Sequence, residues 1–189
     1  LLFLNLLVKP FWMFGIDREV QNVVGAEEYG LYFSLFSLSL MLNIILDIGI
    51  INFNNRSIAS NSQLLKEHLS KIIPLKLSLA FLYAFIVLGA GLILNYSSHQ
   101  FELLYVLIFN QFLLSFILYL RSNISGLHFF RTDSILSVLD RLLMIIICGI
   151  LLWTNLTEKD FQIEWFIYAQ TVSYFFTVIV AFVIVLSKS

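Results

Sequence analysis

The chain has 189 residues, 60% of them hydrophobic and 12% charged, with 11 Lys and Arg against 12 Asp and Glu. A soluble domain keeps about a quarter of its residues charged because its surface faces water, so a water-soluble globule is excluded; 19 Phe, 8 Tyr and 3 Trp exclude a solvated disordered chain. The net charge of −1 leaves no basic face for nucleic acid, and a single cysteine, Cys148, permits no intrachain disulfide.

Mean hydropathy of +0.92 points to lipid as the main solvent. A hydrocarbon layer of about 30 Å takes roughly 20 residues of helix, and only helices or closed barrels satisfy every backbone amide there. The apolar runs are long and continuous rather than alternating, which selects helices. Six spans are read, giving an all-α integral membrane bundle.

The first span, Leu1 to Val24, is interrupted by Lys9, Pro10, Asp17 and Arg18, and Pro10 predicts a kink by removing a backbone hydrogen bond. The second, Tyr29 to Asn52, carries Tyr32, Ser39, Asn43 and Asp47, with Asn54 just beyond; at 100° per residue these project within about 80° of one another. A polar stripe of this length predicts a wall facing water. The third, Ile73 to Leu94, has only Lys76, Ser78 and Tyr83 among apolar residues and is expected to face lipid.

The fourth span, Leu103 to Arg121, repeats the stripe with Gln111, Ser115, Tyr119 and Ser122. The fifth, Ser134 to Trp153, holds Asp140 beside Arg141, and the sixth, Glu164 to Leu186, presents Gln170, Ser173, Tyr174 and Thr177. Three striped helices predict a shared hydrophilic interior. The longest connection, Phe53 to Ile72, has Leu64, Leu65, Leu69 and Ile72 at helical spacing and is expected to lie on the bilayer surface.

Lys and Arg near span ends collect on the cytoplasmic side. One face receives Arg56, Lys66, Lys71, Lys76, Arg121, Arg131 and Lys188, the other Lys159 alone, which predicts cytoplasmic termini. The chain opens on Leu1 without Met and ends at Ser189, so it is expected to be a piece of a longer protein. No signal-peptide cleavage pattern follows Phe14.

Ionisable groups at membrane depth are costly and mark function by default. Lys9, Asp17, Arg18, Asp47, Asp140 and Arg141 form that set. Asp17 and Arg18, like Asp140 and Arg141, are adjacent and diverge by about 100°, so their partners are expected on other helices. Histidines 68, 99 and 128 are scattered over connections without metal-ligand spacing and are expected at the surface. No nucleotide-binding glycine loop and no nucleophile elbow occur, so neither a cofactor, a metal nor an enzyme is expected.

The run Val24-Gly25-Ala26-Glu27-Glu28-Tyr29-Gly30-Leu31-Tyr32, then Asp47-Ile48-Gly49-Ile50 and Phe53-Asn54-Asn55-Arg56, resembles the oligosaccharide flippases of bacterial polysaccharide synthesis. These are the O-antigen-type transporters of the multidrug/oligosaccharidyl-lipid/polysaccharide exporter superfamily. Physically, Gly25 and Gly30 bracket a tight turn between antiparallel helices, and Gly49 is expected to admit a neighbouring helix.

The resemblance implies one six-helix lobe of a transporter with twelve or more helices, with residues 1–189 as the amino-terminal lobe and the second lobe absent. It implies an undecaprenyl-pyrophosphate-linked oligosaccharide as substrate, flipped across the bacterial inner membrane. Arg18, Arg141, Lys9 and Arg56 are then the candidates for the two phosphates, since cations that donate in a fork suit such anions. Tyr32, Asn43 and Gln111 are candidates for sugar hydroxyls, and Asp47, Asp17 and Asp140 for charge balance or for a coupling proton or sodium ion. The alternatives are a drug or metabolite cation antiporter of the same superfamily, or a fragment of a membrane glycosyltransferase or polymerase.

Overall fold

A computed structural model describes residue 8, residues 10–153 and residues 161–188, and within them every regular element is helical. A π-helical stretch, Trp12–Asp17, runs into α1, Arg18–Val24. The next helix, α2, spans Ala26–Leu42 and tightens into a 3-10 turn at Asn43–Leu46. There follow α3, Ile50–Ser60, a 3-10 turn at Ser62–Leu64, and α4, Leu65–Ile93. The last three are α5, Ser98–Gly126, α6, Phe130–Trp153, and α7, Ile163–Leu186.

Among the described residues five stretches are long and apolar enough to cross a bilayer: Ala26–Leu46, Ser62–Ile93, Ser98–Gly126, Phe130–Trp153 and Ile163–Leu186. The expected number was six. The expected first span lies partly outside the described residues, and its continuous remainder is short and carries Asp17, Arg18 and Glu19. Its irregularity takes the form of a π-helix that begins two residues after Pro10. The Lys9 and Lys159 readings lie outside the described residues.

The expected second span is not one helix. Gly25, at φ 94°, reverses the chain between α1 and α2 as its turn requires, a conformation open to glycine without a side-chain clash. At the other end, the 3-10 turn leads into Ile48 at φ 42° and Gly49 at φ 82°. A β-branched residue in the left-handed region costs about 1–2 kcal/mol, and with its side chain exposed Ile48 is fixed there through the backbone, its amide donating to the Ile44 carbonyl at 3.2 Å and the Ile50 amide to the Asp47 carbonyl at 2.8 Å. A Cβ on Gly49 would meet nothing within 4 Å, so this glycine serves the turn and not the close approach of a helix.

The expected surface connector also resolves differently. Residues 53–60 belong to α3, and Leu65, Leu69 and Ile72 sit in the first turns of α4, buried in a cluster with Ile58, Tyr119, Leu120 and Ile124. Pro74 stands inside α4 without ending it. Beyond it Phe81, Phe85 and Ile93 are more than three-quarters exposed, as a lipid-facing helix requires, while Lys76 and Tyr83 are buried.

Helix α5 is the hub: it packs against α2, α3, α4, α6 and α7. Its amino terminus is fixed by a capping box, in which Ser97 Oγ accepts from the Gln100 amide and Gln100 Oε1 accepts from the Ser97 amide. At the opposite end α3 lies directly on it. Asn54 Nδ2 donates to Ser122 Oγ at 2.8 Å, Asn55 Nδ2 donates to the Ser122 carbonyl at 3.3 Å, and Asn54 Oδ1 pairs with His68 Nδ1 at 3.0 Å. His68 is therefore half-buried and bonded, not the free surface histidine expected.

Asn54 is fully buried and serves two partners, and interhelical hydrogen bonds within membranes are worth about 0.6–1.7 kcal/mol each. Asn54→Leu is expected to cost about 2 kcal/mol and to lower the thermal midpoint in detergent by several degrees, whereas Asn52→Leu, at an exposed neighbour, leaves it unchanged. Equal midpoints for the two variants would remove this contact from the account.

Candidate functional site

Polar residues on the π-helical stretch, α2, α6 and α7 converge in the half of the bundle where α2 begins. There a cavity of about 330 Å³ is lined by Trp12, Asp17, Tyr29, Tyr32, Phe33, Phe36, Leu40, Leu114, Arg141, Phe166, Gln170 and Tyr174. Tyr29 and Tyr32 stand one turn apart on α2, so both rings turn inward. Tyr29 Oη donates to Asp17 Oδ1 at 2.9 Å, and Tyr32 meets Phe166 edge-on at 5.5 Å between centroids.

Arg141 supplies the cation. Its guanidinium carbon stands 5.6 Å from the Trp12 ring centroid, and Trp12 in turn stacks on Phe166 at 5.7 Å. Placing a guanidinium over an indole retains its charge and leaves its planar donors directed past the ring. Nε also lies 3.6 Å from Asp140 Oδ2. Adjacent residues thus do approach each other here: the long arginine side chain spans the 100° divergence, contrary to the expectation that its partner comes only from another helix.

The wall is continued by α7 and α5. Gln170 Nε2 donates to Tyr174 Oη at 3.2 Å, and Asn110 Nδ2 donates to Gln170 Oε1 at 3.2 Å and to the Ile167 carbonyl at 3.3 Å. The cavity consequently presents one guanidinium, one carboxylate and several hydroxyl and amide groups against an aromatic wall, with the Asp140 carboxylate beside the guanidinium but outside the lining. The chemistry of such a surface suits an amphipathic molecule with a polar, charged head.

The candidates separate clearly. Asp17, Tyr32 and Arg141 line the cavity, and Asp140, buried, reaches it through Arg141. Arg18 and Arg56 are exposed and are not among the lining residues. Asn43 Nδ2 donates to Gln111 Oε1, so these two hold α2 to α5 away from the cavity. Asp47 Oδ1 accepts from the Ile51 amide at 3.0 Å and caps α3. Lys9 lies outside the described residues.

Two of the three polar stripes are therefore satisfied mostly within the protein, one by other helices and one by its own backbone. Gln111, Ser115 and Ser122 of α5 are buried and engage Asn43, Lys76 and Asn54 respectively. On α7, Ser173 and Thr177 donate to carbonyls one turn back, and only Gln170 and Tyr174 open on the cavity. The sequence reading missed Tyr29 and Trp12 as wall residues. Tyr29 was signalled by its i, i+3 spacing from Tyr32, and Trp12 by lying on the first helix with Asp17.

Lys76 was also missed. It is 2% exposed, inside the bundle and not at a basic membrane face, and its Nζ donates to the Leu46 carbonyl at 2.9 Å and to Ser115 Oγ at 2.7 Å. Near the start of α2 a separate hollow of about 390 Å³ holds His99, 3.9 Å from Glu28 and 3.8 Å from Glu164. This histidine joins the amino-terminal turns of α2, α5 and α7 rather than standing free.

Residues 19–188 match the family described as polysaccharide biosynthesis protein. No curated protein and no solved structure matches the chain. The match covers most of the sequence, and the chain belongs to that polysaccharide biosynthesis family.

Proposed function

We propose that the chain is a lobe of a transporter that flips an undecaprenyl-pyrophosphate-linked oligosaccharide from the cytoplasmic to the periplasmic leaflet of a bacterial inner membrane, without enzymatic chemistry of its own. The observation that carries this reading is Arg141, held against Trp12 at the wall of an aromatic and hydroxyl-rich cavity in a member of a polysaccharide biosynthesis family. A diphosphate needs a permanent cation with directed donors, and Arg supplies both. Tyr29, Tyr32 and Gln170 offer hydroxyl and amide groups to the first sugars, and the prenyl chain stays in lipid.

The acids give the cavity a second state. With no anion bound, Asp140 and Asp17 balance Arg141. An entering phosphate competes with them, and rocking of this lobe against a second six-helix lobe would move the site between the two faces. The coupling ion, a proton or sodium, would act at these carboxylates.

One observation favours a second reading, export of amphipathic cations: Asp17 and Asp140 together outnumber Arg141. The two are separated by depleting the protein in cells. Loss of flipping accumulates the lipid-linked repeat unit on the cytoplasmic face, out of reach of an externally added sugar-oxidising probe, and surface polysaccharide falls at least tenfold. Unchanged polysaccharide with heightened sensitivity to cationic dyes would overturn the first reading in favour of the second.

A further inference from the structure

We propose that the interruption of α2 at residues 43–49 is a hinge, and that Lys76 is the positioning residue that sets its angle. Breaking a helix where its backbone is buried, as at Leu46, strands carbonyls on one side of the gap and amides on the other, and each must find a partner in protein. Both sides are provided for here. The Leu46 carbonyl accepts from Lys76 Nζ at 2.9 Å and from Ser115 Oγ at 3.3 Å, and Asp47 Oδ1 accepts from the Ile51 amide at 3.0 Å. The ammonium thus serves the last carbonyl before the gap and the carboxylate an amide after it.

Lys76 is an unusual choice for a merely structural donor. Ser115 already reaches the same carbonyl, and burying a compact, strongly hydrated ammonium costs more than a neutral donor would. A long stem ending in three donors does provide a contact that can follow a moving carbonyl or release it. The backbone at the gap is also irregular, since Ile48 at φ 42° and Gly49 at φ 82° both lie in the left-handed region, where a β-branched residue is strained and glycine is not.

The segments on either side are tied to different partners, α2 to Gln111 of α5 through Asn43 and to Tyr83 of α4, whose Oη donates to the Ser39 carbonyl at 2.8 Å. Below the gap, α3 is clamped on α5 by Asn54 and by the close approach at Gly126. Above it, α2 carries Tyr29 and Tyr32 to the cavity, so a change of hinge angle moves those rings against Arg141 and alters the width of the site. The inference goes beyond the choice of substrate, and it would stand for either reading above.

Spin labels test it in the purified protein. Ser34 of α2 and Ser60 of α3 are exposed and can be replaced by cysteine, while the native Cys148 is fully buried and stays unlabelled. The parent pair is expected to give one narrow distance distribution, Lys76→Met a broad or two-peaked one, and Lys76→Arg the narrow one again. In parallel, amides 44–51 are expected to exchange with solvent about tenfold faster in Lys76→Met, with α5 and α7 unchanged. An unaltered distribution with unaltered exchange overturns the proposal, as does loss of protection spread evenly over the bundle. Should Lys76→Met fail to fold, Ser115→Ala decides: faster exchange confined to residues 44–51 supports the hinge, and unchanged exchange overturns it.

Discussion

Arg141→Ala is expected to abolish polysaccharide export while leaving the protein folded and in the membrane. Arg141 is only about one-third exposed, and its charge is shared among the Trp12 face, Asp140 and the cavity. Two charge-assisted hydrogen bonds to a phosphate, each worth roughly 1.5–3 kcal/mol, would be lost together. That amounts to at least about a hundredfold weaker binding of a prenyl diphosphate. Arg141→Lys keeps the charge without the fork and the planar stack, so it is expected to recover no more than about a tenth of the lost affinity. Asp140→Asn provides the opposite control: it removes the competing acid, and diphosphate binding should tighten. Titration of the purified protein with a short-chain prenyl diphosphate, alongside cell-surface polysaccharide, reads all three. Full export by Arg141→Ala would sink the site assignment.

Gly126→Leu is expected to prevent stable assembly altogether. A Cβ at this position would stand 3.0 Å from the Asn55 carbonyl oxygen and 3.0 Å from Ile58 Cβ, so α3 and α5 touch through backbone and branched side chain with nothing flexible to yield. Larger side chains must push α3 off α5 and break the Asn54–Ser122 bond with it. Overpacking alone costs about 3 kcal/mol, and the lost hydrogen bonds add to it. Gly30→Leu is the matched control, since a Cβ there meets nothing within 4 Å. The measurement is the fraction of each variant that stays monodisperse in mild detergent after moderate heating; a Gly126→Leu protein as robust as Gly30→Leu would contradict the packing described.

Hydropathy and helical periodicity read most of the membrane helices well, because length and continuity of apolar residues follow directly from bilayer thickness. The expected last span, Glu164 to Leu186, differs from α7 by one residue at its start. The break in α2 was hidden because Ile44, Ile45, Leu46 and Ile48 continue the apolar run through it. Asp47 and Gly49 carried the signal as a cap and a left-handed turn residue, but a continuous hydropathy window outweighs two residues. Lys76 was misplaced for a related reason: the apolar run seemed to begin at Ile73, so the lysine looked terminal, whereas α4 starts at Leu65 and puts it three turns deep.

Candidate residues divided along similar lines. Periodicity identified the correct face of α5, but a face does not declare what it meets, and Gln111 and Ser115 turned out to meet Asn43 and Lys76. Arg141 stood out because it interrupts a long apolar helix, and it does line the cavity. Arg18 stood out for the same reason, yet its neighbour Asp17 takes the inward position and two adjacent helical residues cannot share one direction.

The partners of the α2 break come late in the chain. Leu46 waits for Lys76, 30 residues on, and Ser115, 69 residues on, while Asn43 and Asn54 each wait 68 residues for Gln111 and Ser122. During synthesis the segment around residue 46 therefore leaves the insertion machinery before the groups that complete it exist. The break takes its final form only once α5 is in place, which makes the docking of α5 the step on which the geometry between α2 and α3 depends.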